Sequence, residues 1–382
     1  MQSQRLFIGL ISGTSADGID SALVSQTGDR FSVEHALTTP YPDHLQQALL
    51  NALADPSTLN VTALGKLDVM IGNAFAGAAL QLLASANVDA SAISAIGSHG
   101  QTVFHEPDTE HPFTLQVGDS TRIAHQTGIP TISDFRSADI ATGGQGAPLA
   151  PLLHEHWFGH LGDHVGVLNL GGIANLTVLT NGRAEAGFDT GPANGLMNIW
   201  ATLTDNGAFD EDGNLAAMAP PDHSMLTAML SDDFFARPAP KSTGREHFNA
   251  QWLLDRTGFA PDQLTALPDA TVATVMSTLC QLTVNTISDA MSAQGMPELL
   301  ILCGGGVHNR ELRRRLMAAL PAVSVKSSDD FGCDPDYIEA ALFAWMASRR
   351  LDAQPVNTTR FTGARQPLVA GNICLPPGAL SR

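Results

Sequence analysis

The sequence predicts an α/β protein in which one architecture is used twice, and two observations support this prediction. Apolar strand segments alternate with helical patterns along all 382 residues, as is typical of the α/β class. Two segments, residues 8–24 and 166–179, each consist of an apolar strand, a small glycine-containing tip and a second apolar strand. Because each segment opens one half of the chain, we expect two domains, and the length also favours two.

The first half of the chain begins with a hairpin. The apolar residues 8–11 and 19–24 predict two strands, and the tip 13–18 between them has almost no side-chain bulk. We predict a domain of residues 1–160 that the C-terminal tail, about 352–382, completes. The elements expected after the hairpin are a strand near 31–37, helices over 44–54 and 63–86, and a strand at 93–100.

The second half opens with a strand-rich block at 164–189 and forms the second predicted domain, residues 161–351. The elements expected after this block are a long helix at about 270–293, a strand in "ELLILCGGGVHN" and a final helix in "DYIEAALFAWMASRR". The segment 205–240 is rich in Asp, Pro and Gly, so it is predicted to be an irregular insertion or a mobile loop.

Both hairpin tips combine glycine with small polar residues, which suits the binding of an anion. Glycines allow backbone N–H groups to converge on one point, and Thr14 and Ser15 add hydroxyl groups at the first tip. An ordinary glycine turn is the alternative interpretation of each hairpin. Two such tips in one chain favour a pair of domains that face each other and hold one polyphosphate from opposite sides.

A third glycine element follows the apolar segment "LLILC". Gly304, Gly305 and Gly306 leave room for a ribose or a flat ring, and a helix predicted to begin near Asn309 offers its N-terminal dipole to a phosphate. The alternative is a strand-to-helix turn that needs backbone freedom. The P-loop and Rossmann glycine motifs are absent from the sequence. We therefore expect phosphate binding through backbone amides and magnesium.

Charge and composition limit the classes of partner. Asp and Glu number 38 against 20 Lys and Arg, and the resulting net charge of −18 repels nucleic acids and anionic membranes. The apolar stretch near the N-terminus is too short for a signal peptide, and no apolar run approaches membrane-spanning length. The sequence thus predicts a cytoplasmic protein that binds a small molecule, with no nucleic-acid or membrane partner.

Six segments, taken in chain order, give the sequence a specific resemblance that covers nearly the whole chain. They are "GTSADGID" at 13–20, "GSHGQT" at 97–102, "DFRSADIATGGQGAPL" at 134–149, "NLGGIAN" at 169–175, "FDTGPANG" at 188–195 and "CGGGVHN" at 303–309. In this combination the chain resembles the anhydro-N-acetylmuramic acid kinase family, which belongs to the actin, sugar-kinase and heat-shock chaperone superfamily. The resemblance implies two ribonuclease-H-like domains, as in actin-like ATPases, with a nucleotide cleft between them that closes on ATP and magnesium.

The resemblance also implies an activity. Members of the family use ATP and water to open 1,6-anhydro-N-acetylmuramic acid and to phosphorylate O6, which yields N-acetylmuramate 6-phosphate and ADP in the recycling of cell-wall sugars. A homodimer is implied as well. Two alternatives stay open: a kinase for another anhydrosugar such as levoglucosan, and an actin-like ATPase that binds protein. The segments "GSHGQT" and "DFRSAD" favour a pocket for a small molecule.

Two carboxylates are the candidate catalytic residues. Asp189 follows the segment "AEAGF" and is predicted to be the general base that takes a proton from the attacking water. Its alternative role is the N-cap of a helix that Pro192 helps to start. Glu339, in the last predicted helix, is the candidate second carboxylate near the sugar or the water, and its alternative is a solvated helix face.

Other residues are assigned to ligands by the motifs in which they lie. The predicted ATP-binding residues are Gly13, Thr14, Ser15, Ala16, Asp17, Gly18, Ile19, Asp20, Gly171, Gly172, Asn175, Gly304, Gly305, Gly306 and Asn309. Asp17 and Asp20 are also predicted to arrange the magnesium shell, although Asp is ordinary in glycine turns. A lactyl carboxylate and an acetamido group require cationic or amide-bearing partners. The candidates are His99, Gln101, Asp119, Arg122 and Arg136, each of which is alternatively a structural polar group.

Overall fold

Strands and helices alternate along the part of the chain that the computed structural model describes, which is residues 4–13, 16–54, 59–244 and 247–378. The strands are β1 (Arg5–Ile11), β2 (Gly18–Thr27), β3 (Arg30–Pro40), β4 (Ile93–Ser98), β5 (Gln101–Glu106), β6 (Phe113–Val117), β7 (Thr131–Ser133), β8 (His164–Leu170), β9 (Ile173–Thr180), β10 (Arg183–Pro192), β11 (Leu299–Cys303), β12 (Ser324–Ser327) and β13 (Asn372–Cys374). The helices are α1 (Asp43–Ala54), α2 (Val61–Ala86), α3 (Ser120–Thr127), α4 (Ser137–Ala141), α5 (Ala150–Phe158), α6 (Asn194–Leu203), α7 (Asn214–Ala217), α8 (His223–Leu230), α9 (Asp233–Ala236), α10 (Ala250–Thr257), α11 (Asp269–Gln294), α12 (Arg310–Ala319) and α13 (Ile338–Leu351).

Each predicted hairpin begins a β-sheet of its own. The order in the first sheet is β13-β7-β4-β1-β2-β3, and the order in the second is β10-β9-β8-β11-β12. In both sheets three antiparallel strands form a meander, and two later strands add in parallel beside the first strand. Both sheets therefore share the local order 3-2-1-4-5, which is the ribonuclease-H-like arrangement. The predicted α/β fold class, with one architecture used twice, is confirmed.

The chain divides into two compact units. Met1–Leu153 with Gly332–Arg382 forms the first unit, and His154–Phe331 forms the second. The chain thus returns to the first unit at Gly332, whereas the sequence places residues up to 351 in the second domain.

The early return of the chain to the first unit is explained by the packing of α13 on the first sheet. A Cβ atom at Gly9 of β1 would lie 1.7 Å from the Ala340 carbonyl oxygen, and one at Gly97 of β4 would lie 1.9 Å from the Phe343 carbonyl oxygen. Only glycine permits the helix backbone to approach the strand backbones so closely. The same contact brings the first turn of α13, which contains Glu339, to the unit that contains β1 and β4.

Helix α2 covers the opposite side of the first hairpin. Its buried face includes Ile71, Phe75 and Leu82, which share a core with Ile8 and Leu10 of β1. Within the described residues, α2 is the one helix long and apolar enough to cross a membrane, but core helices of water-soluble domains pass the same test. Because its apolar side chains pack into the core of the unit, we interpret α2 as a core helix.

The segment 205–240 contradicts the prediction of an irregular insertion, because it forms the short helices α7, α8 and α9. Its aspartates stabilise helix starts: Asp222 accepts a hydrogen bond from the Met225 N–H, and Asp232 accepts one from the Phe234 N–H. Phe234 and Met229 are buried in the core of the second unit. Asp and Gly are frequent in loops and in helix caps alike, and composition does not separate these two uses.

Candidate active site

The first group of candidate residues contains His99, which follows β4, and Arg136, which directly precedes α4. The Nδ1 atom of His99 lies 3.0 Å from the Gly100 carbonyl oxygen, and Nε of Arg136 lies 2.9 Å from Nε2 of His99. Because a carbonyl oxygen only accepts, Nδ1 carries the hydrogen and Nε2 accepts from Arg136. Burial and the Arg136 charge hold the pKa of His99 well below its ordinary value. His99 therefore stays neutral and orients the guanidinium group.

Arg136 supplies a fixed positive charge. Its Nη1 atom donates to the Gly146 carbonyl oxygen at 2.7 Å, and no described residue accepts a hydrogen bond from Nη2. Burial lowers its pKa to about 10, while the nearby carboxylates of Glu339 and Asp139 act in the opposite direction. The group is charged at neutral pH and keeps N–H donors for a ligand anion.

Asp139, which was not among the predicted site residues, stabilises the segment after Arg136. It is fully buried and accepts hydrogen bonds from the Gly146 N–H at 2.7 Å, from the Thr362 hydroxyl at 2.8 Å and from the Thr358 hydroxyl. These bonds connect α4 to the C-terminal part of the chain. The motif "DFRSADIATGGQGAPL" contains Asp139, but its spacing does not distinguish this residue from an ordinary helix residue.

Glu339 lies in the first turn of α13, on the same unit as Arg136. No described residue forms a hydrogen bond or an ion pair with its carboxyl group, which retains exposed surface. The protein that surrounds it nevertheless raises its pKa above the ordinary value, and the Arg136 charge opposes that rise. A raised pKa beside a specific charge partner makes Glu339 a candidate for a functional site.

Two described residues of the first hairpin tip, Gly13 and Ala16, are hydrogen-bonded to each other. Ala16 has a φ of 53°, its N–H donates to the Gly13 carbonyl oxygen at 3.1 Å, and its side chain is fully buried. Ile19 is also buried in the core, so only the backbone of these two residues is left to contact a ligand. The candidates Thr14 and Ser15 lie outside the described residues.

Asp20 stands in an acidic environment beside this tip. The Thr38 hydroxyl donates to its Oδ1 atom at 2.6 Å and lies 3.3 Å from the Tyr337 hydroxyl. Burial raises the pKa of Asp20 to about 6, and the carboxylates of Asp17, Glu339 and Asp336 add to the rise. Asp20 is thus half-buried beside exposed carboxylates of the same charge, and a hard divalent cation, which prefers oxygen ligands, would offset that charge.

We expect Asp20→Asn to stabilise the protein in metal-free buffer at pH 8. The pKa of Asp20 is higher in the folded than in the unfolded state, so the ionised carboxylate lowers stability once the pH rises through about 6. The effect should be roughly 1–2 kcal/mol after solvent screening, and it should vanish near pH 4. Thermal unfolding from pH 4 to 8 in EDTA measures it, with Asp29→Asn, in an exposed turn, as the control. A lower melting temperature at pH 8 would contradict the prediction.

The contacts of the three remaining substrate candidates, Gln101, Asp119 and Arg122, differ from those of His99 and Arg136. Gln101 is buried, and its Oε1 atom, like the Ser98 hydroxyl, has no hydrogen-bond partner among the described residues. Asp119 caps α3 by accepting from the N–H groups of Thr121 and Arg122, and its carboxylate lies 3.3 Å from the Arg122 guanidinium. Neither Asp119 nor Arg122 forms a hydrogen bond or ion pair with His99 or Arg136. Their contacts are those of a structural helix cap.

Asp189 lies within β10 of the second unit and contacts two different segments. The Asn175 Nδ2 atom donates to Oδ1 at 2.9 Å, and the Thr243 N–H donates to Oδ2 at 2.9 Å. The N-cap of α6 is Ala193 and has no side-chain cap, so the alternative role of Asp189 as a helix cap is excluded. Lys241 and Thr243 were not predicted, because they are distant in sequence and belong to no recognised motif.

The glycine candidates of the second unit fall into two groups. A Cβ atom at Gly304 would lie 2.2 Å from Asn169 Oδ1, and one at Gly306 would lie 2.6 Å from the Leu170 Cβ atom. Both positions therefore require glycine for packing. At Gly305 no atom lies within 4 Å of such a Cβ, and at Gly172 the nearest lies 3.9 Å away. Neither of these glycines is required by the protein's own packing.

Other candidate residues of the second unit, Gly171, Gly172 and Asn309, form hydrogen bonds within the protein. The Gly172 carbonyl oxygen accepts hydrogen bonds from the N–H groups of Ala193 and Gly195, and the Gly171 carbonyl oxygen accepts one from Asn194. The first N–H groups of α6 are thus satisfied by the hairpin tip. Asn309 accepts from the Leu312 N–H at 2.9 Å and caps α12. Its side chain has a structural role that the sequence does not reveal.

Comparison with known proteins identifies the family. The family model for anhydro-N-acetylmuramic acid kinase matches residues 5–376. A protein of that name from Xanthomonas campestris pv. campestris (strain 8004) is 45% identical over 372 residues, which cover 96% of this chain and 97% of that protein. Another from Shewanella amazonensis is 44% identical over 371 residues, with 97% and 98% covered.

Among solved structures, the activator of 2-hydroxyisocaproyl-CoA dehydratase from Clostridium difficile with bound ADPNP aligns with 92% of this chain and 98% of its own, at 12% identity and a TM-score of 0.47. The family assignment depends on the sequence relatives. Because the family model spans residues 5–376 and the relatives match at 44–45% identity over almost their full length, the chain belongs to the anhydro-N-acetylmuramic acid kinase family.

Proposed function

We propose that this protein is a cytoplasmic, magnesium- and ATP-dependent kinase that acts on 1,6-anhydro-N-acetylmuramic acid in the recycling of cell-wall sugars, and that it works as a homodimer. The products are N-acetylmuramate 6-phosphate and ADP. The observation that supports this function best is Asp189, a carboxylate whose two oxygens are each oriented by a hydrogen-bond donor. A carboxylate positioned in this way suits a general base.

The reaction combines a hydrolysis with a phosphoryl transfer. Water attacks the anomeric carbon C1 as Asp189 takes one of its protons, and the bond between C1 and O6 breaks. The released O6 attacks the γ-phosphorus of ATP, and ADP leaves. Glu339 is the second carboxylate that we assign to the sugar or to the water.

The charge of Arg136 supports the muramyl substrate over levoglucosan. The lactyl group of anhydro-N-acetylmuramic acid carries a carboxylate, whereas levoglucosan has no ionised group. An arginine held by His99 and by the Gly146 carbonyl is oriented for a charge-assisted contact with such a carboxylate. The Gln101 Oε1 atom, an acceptor with no hydrogen-bond partner in the described part of the chain, suits a hydroxyl or amide N–H of the sugar.

We assign magnesium to Asp17 and Asp20, which would hold it together with phosphate oxygens of ATP. Bound magnesium neutralises charge on the phosphoryl group that is transferred. The acidic surroundings of Asp20 support this assignment. We also assign Gly172 and Gly305 to the phosphate or the ribose, because no atom of the described residues, apart from the glycine and its chain neighbours, lies closer than 3.9 Å to a Cβ atom built at either position.

The reaction is tested by incubating the protein with ATP, magnesium and anhydro-N-acetylmuramic acid in oxygen-18 water. We expect a 6-phosphorylated product that contains the label at C1, since the attacking water supplies the C1 hydroxyl group. A phosphorylated product without label would contradict hydrolytic opening. Release of ADP that does not depend on the sugar would favour the alternative of a non-sugar ATPase.

We expect Gly172→Ala and Gly305→Ala to raise the KM for ATP about tenfold or more while the melting temperature stays near that of the wild type. A methyl group fits the protein at both positions. Any rise in the KM for ATP must therefore come from the methyl group blocking the ligand's approach to the backbone. Gly306→Ala is the contrasting variant, because its Cβ meets Leu170 and overpacking costs roughly 1–3 kcal/mol of stability. An unchanged KM for ATP in both open-glycine variants would mean that the two tips are structural turns.

A further inference from the structure

Three polar side chains occupy one row across the second sheet. Asn169 of β8 pairs with Asn175 of β9, and Asn175 pairs with Asp189 of β10. Residues directly opposite on neighbouring strands have side chains on the same face of the sheet, about 5 Å apart. The register of the meander therefore places the Asn175 amide beside the Asp189 carboxylate, although 14 residues separate them in sequence.

We propose that Asn175 is a positioning residue for Asp189 and not a ligand of ATP. The proposal rests on the assignment of Asp189 as the general base. The motif "NLGGIAN" suggests a phosphate contact for Asn175, but its amide N–H is directed to Asp189 Oδ1 at 2.9 Å.

A second donor completes the orientation of the carboxylate. The Thr243 N–H reaches Oδ2 at 2.9 Å, and the N–H of Asp189 itself donates to the Lys241 carbonyl oxygen at 2.9 Å. Donors on both oxygens fix the plane of the carboxylate as well as its position. Since a carboxylate oxygen accepts more than one hydrogen bond, this arrangement is compatible with proton transfer from water.

The segment 241–243 is itself anchored to the unit. The Lys241 Nζ atom donates to the carbonyl oxygens of Phe234 and Phe235 at 3.1 and 3.2 Å, and it lies 4.6 Å from the centre of the Phe234 ring. Thr243 Oγ1 is buried and has no hydrogen-bond partner among the described residues. The segment thus holds a backbone donor against Asp189 from the side opposite to Asn175.

The test is Asn175→Asp, studied through the pH dependence of kcat. A second carboxylate about 3 Å from Asp189 disfavours ionisation of both groups, so the acidic limb of the profile should move up by about one pH unit or more. The KM for ATP should change less than twofold. Asn175→Ala should lower kcat about tenfold and move the limb up by less than Asn175→Asp does, because it removes a hydrogen bond to the carboxylate and adds no charge.

Asn181→Asp is the matched control. It makes the same charge change at the other end of the same hairpin, six residues along the chain, which is roughly 20 Å in a strand. The control should keep the wild-type pH profile. An unmoved limb in Asn175→Asp together with a raised KM for ATP would overturn the proposal and return Asn175 to the nucleotide site.

Different results would contradict the assignment of Asp189 as the base and the assignment of Asn175 as its positioning residue. If Asp189→Asn retains near-normal turnover, the assignment of Asp189 as the base is wrong, and the positioning role is wrong with it. If Asp189→Asn is inactive and the acidic limb of Asn175→Asp does not move, only the positioning role is wrong. Thermal unfolding of each variant identifies any loss that is due to misfolding.

Discussion

Asp189→Asn is expected to lower kcat by roughly 10²- to 10⁴-fold, the largest effect predicted for this protein. Asparagine keeps the shape of the side chain but cannot take a proton from water. The affinity for ATP should stay near the wild-type value, because Asp189 is not among the residues assigned to the nucleotide. Steady-state kinetics and calorimetric titration with ATP measure the two quantities separately.

The surroundings of Asp189 add a modest cost in stability. Both carboxylate oxygens accept a hydrogen bond, from Asn175 and from the Thr243 N–H, whereas an asparagine side chain has only one acceptor oxygen. One donor is left unpaired in Asp189→Asn, which should cost roughly 1–3 kcal/mol of unfolding free energy. The variant should still fold with a lower melting temperature.

The double variant Asp189→Asn with Asn175→Asp separates the loss of stability from the loss of the base. It restores an amide–carboxylate pair between β9 and β10 but moves the carboxylate to the other strand. We expect it to recover part of the lost stability and to remain inactive. Near-normal turnover in the single variant would remove Asp189 from the mechanism and direct attention to Glu339.

Arg136→Met is expected to raise the KM for anhydro-N-acetylmuramic acid by roughly 30- to 1,000-fold, equivalent to about 2–4 kcal/mol. The variant removes the charge proposed to meet the lactyl carboxylate, and methionine keeps part of the side-chain volume. Turnover of levoglucosan, if it is detectable in the wild type, should change far less, because that sugar has no carboxylate. The ratio of kcat/KM for the two sugars is the quantity to measure.

Arg30→Met is the control for a general effect of losing positive charge, since Arg30 is exposed at the start of β3. It should leave both substrates unaffected. Because Arg136 also bonds to His99 and to the Gly146 carbonyl, its replacement should lower stability, which thermal unfolding will report. An equal loss of kcat/KM for both sugars would contradict a contact between Arg136 and the lactyl group.

Local sequence patterns predicted most of the elements. Apolar runs bounded by glycine correspond to β1, β2, β8 and β9, and helical periodicity corresponds to the long helices α2 and α11. These patterns are reliable because a helix or strand with one buried face needs apolar residues that recur at the structural repeat of that element. They failed at 205–240, where the aspartates at 222 and 232 cap helices, since the same residue types also favour loops.

The sequence alone determined the fold class, the family resemblance and the candidacy of Asp189, Glu339 and Arg136, because motif residues and apolar periods are local features. Tertiary structure decided which groups these residues contact. The register of β9 against β10 directs the Asn175 amide to Asp189, and the close approach of α13 to Gly9 places Glu339 in the first unit. Such partners are distant along the chain and depend on how whole strands and helices pack, so a local pattern in the sequence does not specify them.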